Sequence, residues 1–316
     1  MADVLLDGYV GLVCDLDGVV YAGPTAIPHA VESLEAARER GVGIVYATNN
    51  ASRPPEKVAH HLSELGLTVN AADVVNSSMA AAHVLGASGD DVETVLAIGG
   101  EGVQIALEAA GYTCVRTDEV AGPSDTVDAV VQGYGSDVRA ADLASAAHAV
   151  ANGARWVATN TDLTLPTERG IAPGNGSLVQ AVRNAVGIDP EVAGKPMPVM
   201  YDMAAERFDG EGRVLAVGDR LETDIEGACR GGYDSVLVLT GVHDLADAAA
   251  APPHRRPTYV VEDLRALLAP YAVSGGAQSS TIEALRARLV DLWKRVDAGE
   301  ISADEAREAM TAAMPS

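Results

Sequence analysis

The chain has 316 residues, 48% of them hydrophobic and 4% aromatic, which suits two globular domains whose cores are built from Ala, Val and Leu. Its net charge of −23 excludes nucleic acid and anionic membrane surfaces as partners, and no apolar run is long enough to span a bilayer. Three cysteines (Cys14, Cys114, Cys229) lack metal-ligand spacing and cannot all pair, and no basic stretch precedes an apolar one at the N-terminus, so a reducing cytoplasm is expected.

The first apolar run, Val10 to Cys14, reads as a buried strand that delivers Asp15 and Asp17 into a glycine turn at Gly18. A carboxylate pair at a strand end can hold a hard cation and still leave an oxygen free to attack phosphorus. Two aspartates that merely close a strand and open a turn are the plain alternative. If Asp15 faces outward, strand alternation points Cys14 into the core. A helix follows over Pro28 to Arg40, stopped by Gly41, and then a second apolar run ends in Thr48 and Asn49. Both of these can donate to a phosphate oxygen. The next helix, Pro55 to Leu65, carries His60 and His61, which lack metal spacing and read as solvated. Arg53 either adds positive potential near the Thr48 turn or lies on the surface.

A second α/β pattern occupies 79–186. Thr94–Ile98, Ala129–Gln132 and Trp156–Thr159 read as strands, and Val103–Ala110 and Arg139–Ala151 as helices. Gly99-Gly100-Glu101-Gly102 lacks the spacing of a dinucleotide loop and reads as a tight turn. Beyond this region comes Gly194-Lys195-Pro196. The chain has three lysines against 19 arginines, so a lysine kept at 195 suggests that a compact, rotatable ammonium is wanted there. A further apolar run, Val214 to Val217, ends in Gly218 and Asp219, with Asp224 five residues on. Residues 252–257 form a stiff connection before a last strand at Thr258–Val261. After a small-residue linker, Ser274 to Ser279, two capping-box patterns (Ser280 with Glu283, Ser302 with Glu305) predict a helical hairpin broken at Gly299. Ile282, Leu285, Leu289, Leu292 and Val296 form its apolar stripe, which must pack on its own domain, on a second subunit or on a partner. Self-association is the favoured of the three.

Three of these polar sites lie just past the carboxyl end of an apolar run. In an open parallel sheet such ends face one crevice, where ligands bind. The four segments Asp15-Leu-Asp-Gly-Val-Val-Tyr21, Ala47-Thr-Asn-Asn-Ala-Ser-Arg53, Ala193-Gly-Lys-Pro196 and Gly218-Asp-Arg-Leu-Glu-Thr-Asp-Ile225, in this order, resemble the four motifs of the haloacid dehalogenase superfamily. The stretch between the second and third motifs is similar to the large α/β cap of the subgroup holding phosphoglycolate, pyridoxal phosphate and p-nitrophenyl phosphate phosphatases. Leu163 to Gly170, Pro173 to Ser177 and Arg256 to Tyr259 look closest to glycerol 3-phosphate phosphatases.

The resemblance implies an α/β fold. A doubly wound parallel-sheet core (1–78 and 187–273) carries an inserted α/β cap (79–186), followed by a linker and helical tail (274–316). It implies Asp15 as nucleophile, Asp17 as general acid and then base, Thr48 and Asn49 as phosphoryl donors, and Lys195 as the charge that offsets phosphate and Asp15. It implies Mg²⁺ on Asp15, on the main-chain carbonyl of Asp17 and on Asp219, with Asp224 steadying its water shell or binding directly. In the cap, Asn160, Asp162 and Arg169 are the expected contacts to the leaving group, the alternative being that Pro166, Pro173, Gly174 and Gly176 only shape a loop. The expected activity is hydrolysis of small phosphate monoesters through an aspartyl-phosphate, glycerol 3-phosphate first among them, with phosphoglycolate or broad p-nitrophenyl phosphate-type activity as the alternative. A retired interaction protein acting through its tail and a phosphomutase are the other classes. A homodimer through the cap or the tail is the expected assembly.

Overall fold

Tyr9–Cys14 lies at the middle of a parallel sheet because it is apolar along its length and buried on both faces. The computed structural model describes residues 4–87, 89, 91–117, 126–167, 169–210, 212–273 and 281–315. Its chain divides into two compact units. The first comprises Met1–Tyr46, Leu65–Leu67 and Ala205–Ser316, and the second Ala47–Glu64 and Thr68–Ala204.

In the first unit the strands run in the order Tyr259–Val261, Asp234–Val238, Arg213–Gly218, Tyr9–Cys14, Gly43–Thr48. Every pairing among them is parallel. The chain winds outward in both directions from the central pair, so crossovers of one hand put helices on opposite faces of the sheet. This doubly wound α/β architecture is the predicted one. The Ala30–Glu39 helix starts within two residues of Pro28, and Gly41 after it takes φ +84°, the left-handed conformation that ends helices. Helix Pro55–Glu64 stops before Gly66, at φ +104°. Cys14 is fully buried, as expected of a core residue.

The second unit holds a parallel sheet in the order Glu191–Val192, Arg155–Ala158, Ala129–Gln132, Thr94–Ile98, Thr113–Val115. Its helices include Glu101–Ala109, Ala140–Ala151 and Asn175–Val186. The segment 164–173, for which no strands were expected, is an antiparallel hairpin of Thr164–Thr167 and Gly170–Pro173. The Gly99-Gly100 turn packs on chain 51–53: a Cβ on Gly102 would lie 2.5 Å from the Ala51 carbonyl oxygen, and one on Gly100 2.8 Å from that of Ser52. Its glycines serve close approach of backbones, in keeping with a tight turn.

The tail forms helices Thr281–Asp297 and Ala303–Thr311, the second opened by the Ser302–Glu305 capping box. The Ser274–Ser279 linker and the Ser280 cap lie outside the described residues. The apolar stripe corrects the expectation of self-association through the tail. Leu285, Leu289 and Leu292 are buried in one cluster with Leu245, Ala248, Ala249, Ala306 and Met310. Trp293 Nε1 donates to the Ala248 carbonyl at 2.8 Å, and Arg286 Nε to that of Val260 at 2.8 Å. Burying each leucine stabilises the hairpin by roughly 1.5–3 kcal/mol, so its own unit supplies the surface that the stripe needed. Among the described residues no helix is long and apolar enough to cross a membrane.

Candidate active site

Cys14 pairs with Val217 across the two central strands, so the residues that follow leave the sheet side by side. Asp15 N donates to the Val217 carbonyl at 2.8 Å and ties the first turn to the neighbouring strand. The chain then folds around Leu16, which is buried and whose carbonyl accepts from Val20 N at 2.9 Å. Gly18 takes φ +82°, which a residue with a side chain rarely adopts. Asp15 is thereby half-buried and Asp17 exposed.

Past Gly218 the chain enters a π-helical turn, Leu221–Ile225, in which the Arg220 carbonyl accepts from both Asp224 N and Ile225 N. This wide turn folds Asp224 back toward the strand end, where its Oδ2 accepts from Arg220 N at 3.1 Å. Asp15, Asp219 and Asp224 each present a carboxylate oxygen within 4.8 Å of the others, with Asp219 1% and Asp224 2% exposed. The donor set is all oxygen and all anionic, the chemistry that suits a hard divalent cation rather than a soft one. Glycines make room for it. A Cβ on Gly241 would stand 2.0 Å from Asp219 Oδ2, one on Gly18 2.4 Å from it, and one on Gly218 2.2 Å from Asp224 Cβ. The three carboxylates and their cradle therefore fit Mg²⁺.

Sequence reasoning missed the segment that secures Asp219. Val242 N donates to Asp219 Oδ2 at 2.7 Å, His243 N to the Asp219 carbonyl at 3.2 Å, and Thr240 Oγ1 to the Gly18 carbonyl at 2.7 Å. The available signal was the apolar run Val236 to Leu239, which ends in Thr240-Gly241 as the other runs end in their polar residues.

The second unit gathers a different cluster. Thr48 is buried, and its Oγ1 accepts from Asn50 N at 3.1 Å, which leaves the hydroxyl proton to donate. Lys195 is 3% exposed, with Nζ donating to the Ala47 carbonyl at 3.0 Å. Asn49 Oδ1 accepts from Lys195 N at 2.8 Å, while Nδ2 donates to the Lys195 carbonyl at 3.1 Å and to Asp162 Oδ2 at 3.2 Å. Asn160 is buried, with Nδ2 donating to the Asn49 carbonyl at 2.7 Å and Oδ1 accepting from Asp162 N at 3.2 Å. The glycines of Gly174-Asn175-Gly176 seat this loop: Gly176 N donates to the Asp162 carbonyl at 2.9 Å, and a Cβ on Gly174 would come within 2.3 Å of the same oxygen. Thr48, Asn49, Asn160, Asp162 and Lys195 thus share one network, whereas Arg169 sits exposed on the turn of the hairpin. Arg53 is exposed. His60 and His61 face Glu64 on the Pro55–Glu64 helix.

Comparison with known proteins agrees with this arrangement. A haloacid dehalogenase-like hydrolase model matches residues 12–113, and a second, HAD-hydrolase-like model matches 192–267. The chain is 48% identical over 256 residues to the D-glycerol 3-phosphate phosphatase of Mycobacterium tuberculosis, covering 81% of this chain and 70% of that protein. It is 35% identical over 261 residues to an acid sugar phosphatase of Staphylococcus haemolyticus, covering 82% of this chain and 95% of that one. The crystal structure of a glycerol phosphate phosphatase from M. tuberculosis in complex with magnesium superposes with a TM-score of 0.84 at 41% identity, covering 93% of each chain.

Proposed function

This chain belongs to the haloacid dehalogenase-like hydrolases and is a phosphatase of that family, and we infer that its substrate is glycerol 3-phosphate and its cofactor Mg²⁺. The observation that carries this is the convergence of Asp15, Asp219 and Asp224 at neighbouring strand ends. The identity to a glycerol 3-phosphate phosphatase supports the choice of substrate.

In this assignment 1–78 and 187–273 form the core, 79–186 the cap and 274–316 the tail. Asp15, the main-chain carbonyl of Asp17, Asp219 and Asp224 would hold the ion. Bound there, Mg²⁺ supplies positive charge against the phosphoryl oxygens and the attacking carboxylate. An ionised Asp15 oxygen attacks phosphorus, and the bond from phosphorus to the glycerol oxygen breaks. Asp17 gives its proton to that departing oxygen. Asp17 then takes a proton from water as the water attacks the aspartyl-phosphate, and Asp15 is released as carboxylate with inorganic phosphate. This division of labour needs Asp15 ionised and Asp17 carrying the proton. Thr48 donates to the transferring group and the Lys195 ammonium offsets its charge, because phosphoryl transfer needs placement and charge compensation.

Asp162 and Arg169 are the cap residues offered to the glycerol moiety. Net charge −23 argues against nucleic acid and anionic membranes as partners, and three cysteines without a disulfide support a reducing cytoplasm. A homodimer would use the cap or a face of the tail other than its covered stripe.

Phosphate release from glycerol 3-phosphate, phosphoglycolate, a sugar phosphate and p-nitrophenyl phosphate tests the choice of substrate. The highest kcat/KM is expected for glycerol 3-phosphate, and a flat profile would replace it by broad activity. Asp17→Asn should lose more with alkyl than with aryl esters, because poor leaving groups need the proton most. Equal losses would remove the acid role.

A further inference from the structure

We propose that Asn49 is a positioning residue, one that fixes Lys195 and Asp162 with its amide and does not itself donate to the phosphoryl group. This rests on the phosphatase assignment above. A carboxamide has two N–H donors. Both are engaged here, one on the Lys195 carbonyl at 3.1 Å and one on the Asp162 carboxylate at 3.2 Å. The direction of the amide is not a matter of choice. Lys195 N–H requires the oxygen end, at 2.8 Å, and Lys195 C=O requires the nitrogen end.

Gripping both main-chain groups of one residue copies a strand pairing and fixes the root of the lysine stem. The far end is fixed by Nζ on the Ala47 carbonyl at 3.0 Å. The chain is shaped for this grip: a Cβ on Gly194 would stand 2.7 Å from Asn49 Oδ1 and 2.3 Å from the Thr159 carbonyl oxygen. Asn49 is itself pinned, its carbonyl accepting from Ser77 Oγ at 2.6 Å and from Asn160 Nδ2 at 2.7 Å. One amide therefore joins the lysine that meets the phosphoryl group to the loop offered to the leaving group. Of the Thr48–Asn49 pair, Thr48 is left as the side-chain donor, and a change in the Asn160–Asp162 loop reaches Lys195 through Asn49.

The test exchanges the two ends of the 49–162 bond in the full chain. Asn49→Asp keeps the side chain's size, removes both donors and sets a carboxylate against Asp162. The double variant Asn49→Asp/Asp162→Asn restores a donor and an acceptor with their places reversed, and Lys195 N keeps its acceptor. With Mg²⁺ and glycerol 3-phosphate, Asn49→Asp should lower kcat about 10²-fold, and the double variant should regain about tenfold of that. The inhibition constant of inorganic phosphate in the double variant should stay within about threefold of wild type. No recovery, with phosphate inhibition weakened in parallel with kcat, would overturn the proposal, since a carboxylate in place of a direct phosphate donor repels the ligand whatever stands at 162. Should Asn49→Asp fail to fold, the cycle of Asn49→Ala with Asp162→Ala decides. Losses in kcat no greater in the double than in the worse single support positioning, and additive losses refute it. A wild-type chain releasing no phosphate from any ester would instead defeat the phosphatase assignment, and this inference with it.

Discussion

The two polar clusters solve opposite problems. In the first unit, three carboxylates stand within 4.8 Å of one another, two of them almost wholly buried. Main-chain donors and the missing side chains of Gly18, Gly218 and Gly241 hold them. Like charges at such a spacing repel, and a cation between them would relieve that repulsion. In the second unit the amide of Asn49 meets a carbonyl, a carboxylate and an N–H, and the Lys195 ammonium meets a carbonyl. That cluster is a network of hydrogen bonds between protein groups. The first should answer to ions and the second to the shape of single side chains.

The largest effect is expected at Asp15. Asp15→Asn and removal of divalent ions by a chelator should each lower phosphate release by roughly 10⁴-fold or more, with the far-ultraviolet circular dichroism unchanged. A loss of only a few-fold in either would detach the carboxylates from the chemistry. Gly241→Ala comes next. Its Cβ would displace Asp219, so the Mg²⁺ concentration for half-maximal activity should rise about 10–100-fold, as for other changes around a ligand. Gly194→Ala is the matched substitution in the second cluster. It should lower kcat about tenfold while leaving that Mg²⁺ requirement in place, and a rise in both would blur the distinction.

The smallest effect is expected outside both clusters, at Asp142, which caps the Ala140–Ala151 helix. Burial pushes its carboxyl up, but Arg139, the Arg139 main-chain N–H and Thr117 outweigh this and hold it below the ordinary 3.8. A depressed carboxyl stabilises the fold above that ordinary value and loses its contribution as pH falls through the lowered one. Asp142→Asn should therefore lower the melting temperature slightly at pH 7, and the gap to wild type should close on acidification. A gap that persists in acid would assign the effect to packing.

Much of this was legible because apolar runs ending in polar residues mark the carboxyl ends of parallel strands. Thr94–Ile98 and Ala129–Gln132 were bounded to the residue by that pattern. Asp15, Asp219 and Asp224 come from such ends or the turn beyond them. The Ser77–Ala87 helix was not read. Its buried face, Ser77, Ser78, Ala80, Ala81, Ala82, Val84 and Leu85, is broad and made largely of Ser and Ala, while Met79 and Ala87 lie off it, so hydropathy shows no clear stripe. The Thr164–Pro173 hairpin was hidden by two prolines and a glycine, which an isolated pair of strands tolerates and a central strand does not. The grip of Asn49 on Lys195 spans 146 residues, and the same Thr-Asn pattern serves a phosphate donor as well as an internal clamp. Only coordinates could separate those uses. Asn160 shows the same limit, since nothing in its neighbours announces that both ends of its amide are engaged by the protein.

The most direct measurement is the melting temperature of the full chain titrated with Mg²⁺, in wild type and in Asp219→Asn. A cation bound between buried carboxylates of the folded state alone must raise the wild-type melting temperature with concentration, and the variant should show little or no rise. Equal rises in both proteins, or none in either, would contradict a metal held by Asp15, Asp219 and Asp224.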